Sequence, residues 1–184
     1  MANPSTMLIH ALALYLAATV LYAAGLAARG GRASQAGLAA TVVVAIGVVP
    51  HTVGLFGLVA ETGRAPYSTL YGAFAFTAWL LAILQVGVVA RWRLYALGAV
   101  SLPLGFLLLL YALALPPEMR ELLPALREQT MAAHISVALL GYGAFAVSFG
   151  LALIYLAEER MLKAKRLHGL IERLPPLRTA EDLA

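Results

Sequence analysis

The stretch TMAAHISVALLGYGAFAVSFGLALIYLAEER, Thr130 to Arg160, constrains this chain more than any other. It is an apolar run long enough to cross a bilayer, and it has a histidine, His134, near its start. A spanning helix needs roughly 20 mostly apolar residues. Four earlier segments meet the same requirement, at about 7–28, 37–60, 69–90 and 94–115, and the fifth spans about 131–157. In lipid a helix satisfies its own backbone donors and acceptors, which an open strand cannot do. The sequence therefore predicts an all-α, polytopic membrane bundle of five transmembrane helices over residues 1–160. A basic amphipathic tail or linker follows over 161–184. Composition agrees, with 62% hydrophobic and 12% charged residues, where soluble domains are about half apolar and a quarter charged.

The charges set the orientation. Arg29, Arg32, Arg91 and Arg93 occupy the first and third loops without an acid. Arg160, Lys163, Lys165, Arg166, Arg173 and Arg178 follow the last apolar segment, and only Arg64, Arg120 and Arg127 fall on the other side. Basic residues near segment ends mark the cytoplasmic face, so the N-terminus is expected outside and the C-terminus in the cytoplasm. The net charge of +4 thus reads as membrane topology and not as nucleic-acid binding. No basic residue precedes the first apolar segment, which is expected to be retained and not cleaved as a signal peptide.

This topology puts His10 near the outer end of helix 1, His51 in the outer half of helix 2 and His134 at the outer mouth of helix 5. His168 is expected to be a solvated cytoplasmic residue. Ionisable residues at membrane depth are costly and suggest function, and a neutral imidazole is a good ligand for iron, zinc or copper. Two readings stand side by side. His134 is either an axial ligand or a snorkelling residue at the interface. His51 and His10 are either ligands or polar groups bonded to a neighbouring helix. Counting helical turns from His134, one stripe carries Ala138, Gly141, Phe145, Ser148 and Ala152, small enough for close helix packing. Tyr142 and Phe145 follow in GYGAF. The loop PPEMRELLPALREQT is either a short surface helix, interrupted at Pro124, or a solvated loop.

Several chemistries lack support. The chain has no cysteine, which excludes disulfides, thiolate metal sites and covalent haem attachment through its own thiols. No nucleophile motif, carboxylate pair or phosphate-binding loop is present. Apart from Gln85 the helix centres hold little polar matter for a transport pathway.

The order of motifs resembles a known family. LIHALALYLAATVLYAAGL is followed by HTVGLFGLVAETGRAPYSTLYGAFAFTAWLLAI, then HISVALLGYGAFAVSFGLALIY, then LPPLRTAEDL. This ordered set resembles the cytochrome c assembly family, the CcsA, ResC and HemX-like haem-handling membrane proteins. The resemblance implies a multi-pass protein of the plasma (inner) membrane that presents haem, as transient haem b, at the outer face for attachment to apocytochrome c. It implies a second membrane subunit of the CcsB or ResB type as partner, and at most a share in a haem lyase complex. By the same resemblance His134 matches an external axial haem ligand and His51 the recurring helix 2 histidine, a possible second ligand. Tyr142 and Phe145 are then possible ring neighbours, with Tyr67, Tyr71 and Trp79 around an outer vestibule. The family's tryptophan-rich segment is not in these 184 residues, whose tryptophans are Trp79 and Trp92. The chain is therefore expected to be either a fragment or a divergent member. A HemX-like scaffold that regulates haem synthesis without a ligand is the alternative.

Overall fold

The computed structural model describes residues 3–28, 30–116 and 129–163. Five helices make up nearly all of them: α1 (Pro4–Ala27), α2 (Gly31–Thr62), α3 (Leu70–Trp92), α4 (Tyr95–Ala114) and α5 (Gln129–Lys163). All five are long and apolar enough to cross a membrane. The described residues contain no strand. The suggested surface helix between Pro117 and Arg127, the tail beyond Lys163 and His168 lie outside the described residues.

The helices are longer than their apolar runs. At 1.5 Å per residue the 32 residues of α2 reach about 48 Å, against a hydrocarbon core of roughly 30 Å. The excess is the polar turn GRASQA, which continues the helix before the lipid-facing part begins. Pro50 and Pro103 sit inside α2 and α4 without ending them. Pro50 leaves one carbonyl a turn earlier without its helical donor.

The bundle is assembled from small residues. On α1 the buried positions are Pro4, Leu8, Ala11, Tyr15, Ala18, Tyr22 and Gly25, a regular alternation of four and three. On α2 they include Gly37, Ala40, Val44, Gly47, His51 and Gly54. Such stripes bring backbones close, which drives helix association where lipid removes the hydrophobic advantage. α1 packs along α2 and against α4, and α3 packs against α4 and α2.

α5 lies on the outside of this group, against α3 and α4. It does so through a face other than the one expected. Val147, Leu151 and Ile154 are buried there, with Gly143 against Leu84 and Gly150 against Leu97. The stripe that starts at His134 points away from the bundle, and Phe145 on it is 73% exposed. In lipid both faces of α5 are apolar, so residue size alone did not reveal which one meets protein.

The turn between α2 and α3 is closed by Gly63 in the left-handed region, φ 64°, and by Thr69, whose hydroxyl accepts from Gly72 N–H at 3.0 Å. A Cβ at Gly72 would stand 1.7 Å from the Pro66 carbonyl oxygen. The GRAPYS turn therefore folds directly onto the bare backbone of α3.

Candidate haem-facing site

Two histidines of the sequence reading occupy opposite environments. His51 is fully buried and joins three helices. Its Nε2 lies 3.1 Å from the Ala75 carbonyl of α3, and its Nδ1 lies 3.0 Å from the Tyr15 hydroxyl of α1. A carbonyl only accepts, so Nε2 carries the proton. Nδ1 is then the acceptor and Tyr15 O–H the donor. The Ala75 carbonyl has a second lone pair for its own helical bond. Both ring nitrogens are thus engaged, and His51 offers no free lone pair to a metal in this arrangement. Iron ligation there would require the loss of the Tyr15 or the Ala75 bond. Thr19 donates to the Tyr15 carbonyl at 2.8 Å, completing a polar strap inside the apolar core.

His134 is exposed on α5. Tyr142 and Phe145, 64% and 73% exposed, follow on the same helix. At 100° and 1.5 Å per residue they lie about 80° and 20° round from His134, and about 12 and 16 Å further along the axis. The stripe continues through Phe149, also exposed. A Cβ at Gly141 would meet nothing within 4 Å, so this side of α5 has no neighbour from the described residues. It presents an imidazole with aromatic and small side chains below it. That suits ligation of one face of a flat, apolar metal complex better than enclosure of a bare ion. Among the described residues no three His, Asp or Glu side chains gather into a metal set.

The remaining candidates separate from both histidines. Tyr67, Phe76, Trp79 and Phe56 form a continuous row of ring contacts with centroids 5.7–5.8 Å apart. This row runs along α2 and α3 toward the outer turn. Trp79 Nε1 donates to Thr52 Oγ1 at 2.8 Å, which fixes its indole. Tyr71 is buried in the core and not in an open vestibule. His10 is exposed on α1. The sequence reading missed Tyr15 as the partner of His51. The available signal was its place on the repeating α1 stripe.

A family profile described as "Cytochrome C assembly protein" matches residues 67–184. Protein HemX of Brevibacillus brevis is 30% identical over 123 residues, which cover 66% of this chain and 45% of that protein. Cytochrome c biogenesis protein CcsA of Synechococcus sp. (strain CC9311) is 32% identical over 104 residues, 54% of this chain and 34% of that one. The CcsA protein of Guillardia theta is 30% identical over 110 residues, 58% and 36% of the two chains. This chain spans 34–45% of the length of these three relatives. No solved structure matches it.

Proposed function

The chain belongs to the cytochrome c assembly protein family, and from that premise we propose that it is a haem-handling subunit of cytochrome c maturation. In this reading it presents haem at the outer face of the membrane for attachment to apocytochrome c. The observation that carries the proposal is the open stripe of α5 inside the family-matched region: an exposed His134 with exposed Tyr142 and Phe145 below it. Haem is the cargo. It brings the iron that an imidazole ligates and the vinyl groups that cysteine thiols of an acceptor would attack.

Each residue then has a limited task. His134 offers a neutral nitrogen as one axial ligand. Tyr142 and Phe145 supply apolar surface that excludes water from one side of the porphyrin. His51, with both nitrogens bonded, holds α1, α2 and α3 together. The second axial ligand comes from outside the described residues, which fits a CcsB- or ResB-type membrane partner. The protein itself positions the cargo, and the thiols belong to the apocytochrome.

Purified protein with haem is expected to show a Soret band that weakens in His134→Ala and persists in Tyr15→Phe. An unchanged band in His134→Ala removes this residue from the site. The similarity to protein HemX favours one second reading, a membrane scaffold for a haem-synthesis enzyme. Colourless protein that fails to take up haem and retains a soluble partner through its basic tail would establish that reading instead.

A further inference from the structure

At the end of the bundle that the basic loops assign to the cytoplasm, a cavity of about 160 Å³ opens between α1, α2 and α4. Its walls include Tyr22 of α1, Gly30, Ser34 and Gly37 at the start of α2, and Tyr95 at the start of α4. The two aromatic walls are fixed by close approach. A Cβ on Gly37 would stand 2.3 Å from Cγ of Tyr95, and one on Gly98 would stand 2.3 Å from Cζ of Tyr22. Both rings therefore rest on bare helix backbone. Thr41 donates its proton to the Gly37 carbonyl at 2.8 Å, so Tyr22 O–H donates to Thr41 Oγ1 at 2.9 Å. Beside the Tyr22 hydroxyl lies the carboxamide of Gln85, which is fully buried and whose Nε2 has no hydrogen-bond partner. The void is part of how the helices pack.

Its electrostatics favour an anion. The N-termini of α2 and α4 both reach the cavity, and neither has a side-chain cap. Uncapped first turns leave backbone N–H donors and the positive ends of two helix dipoles. α1 arrives with its C-terminal end, where the Ala24 carbonyl is taken by Ala28 N–H. Arg32 stands at the start of α2 and Arg93 two residues before Tyr95, and the two loops contain no acid. The volume corresponds to about five waters at roughly 30 Å³ each. A carboxylate arm fits that space, whereas a tetrapyrrole ring is too large and would stay in the surrounding lipid.

We propose that this cavity receives a propionate carboxylate of haem at the cytoplasmic end of the chain. The inference rests on the haem-handling reading and extends it to the opposite side of the membrane, since a chain that carries haem outward must first take it up inside. A phospholipid phosphate shares the anionic chemistry, and the experiment separates the two.

The chain has no cysteine, so Ser34→Cys puts a single thiol on the cavity wall. The variant is placed in phosphatidylcholine nanodiscs and labelled with a soluble maleimide. The probe is metal-free protoporphyrin IX, which cannot bind a thiol or His134 through iron. At about ten times its Kd it leaves roughly one site in eleven free, so labelling is expected to slow about tenfold. Its dimethyl ester, with the same ring and no free carboxylate, is expected to leave the rate unchanged. Arg32→Gln with Arg93→Gln, both at exposed positions, is expected to lose the protection while keeping the His134-dependent Soret band with haem. Equal protection by acid and ester, no protection by either, or equal protection by phosphatidylglycerol alone would overturn the proposal. A Soret band without protection at position 34 removes only the cavity assignment. Absence of any haem band removes the functional reading itself.

Discussion

The His51 strap makes a quantitative prediction. Tyr15→Phe removes one hydroxyl and leaves the buried Nδ1 of His51 without a donor. A buried orphan of this kind costs about 1–3 kcal/mol in soluble proteins. Interhelical hydrogen bonds in membrane proteins average about 0.6 kcal/mol and reach about 1.7 kcal/mol. Tyr15 and His51 are both 0% exposed and 3.0 Å apart, so the upper part of that range applies, about 1–1.5 kcal/mol. His51→Leu leaves the Tyr15 hydroxyl orphaned in turn, while the Ala75 carbonyl keeps its helical bond. The double variant contains neither orphan. Its destabilisation should therefore fall short of the sum of the single effects by about 1 kcal/mol. Reversible unfolding in bicelles measures all four corners of the cycle. Additivity within about 0.3 kcal/mol, or a Tyr15→Phe variant as stable as the parent, would refute the strap. Nitrogen NMR of His51 should show Nε2 protonated and Nδ1 bare.

Other outcomes follow from the same packing. Gly72→Ala should cost about 3 kcal/mol in bicelle unfolding, because the new methyl would meet the Pro66 carbonyl at 1.7 Å and backbone cannot yield as a side chain does. Gln85→Leu should fall within about 1 kcal/mol of the parent or stabilise it. It deletes the unpartnered Nε2, and Ser101 keeps its bond to the Leu97 carbonyl at 2.8 Å. His134→Ala should change unfolding stability by no more than about 0.5 kcal/mol, since the side chain is exposed. A loss of haem absorbance in that variant would then be read as ligation and not as misfolding.

The five helices were legible because lipid imposes one requirement on every spanning segment, and hydropathy reports it directly. Helix ends were less legible. α2 begins at Gly31, well before its apolar run, because hydropathy marks where lipid starts and not where hydrogen bonding starts. The packing face of α5 was hidden for a related reason: Phe145 and Val147 are equally apolar, yet one faces outward and the other is buried. Solvent exclusion cannot sort them, so contact geometry does. His51 was recognisable as a polar group at depth, but its role depended on Tyr15, an aromatic residue that looks ordinary on an apolar helix. Only the stripe of Leu8, Ala11, Tyr15, Ala18 and Tyr22 shows that this tyrosine points inward. His134 was found from its position alone, and the structure adds that the side of α5 it occupies is open.

The most direct test is which side of the membrane position 134 faces. His134→Cys in the cysteine-free chain gives one thiol, probed with an impermeant maleimide on intact cells and on inverted vesicles. Labelling on intact cells and protection in sealed inverted vesicles is the predicted result. The reverse pattern would put the imidazole in the cytoplasm, where it could not hold haem for an acceptor outside.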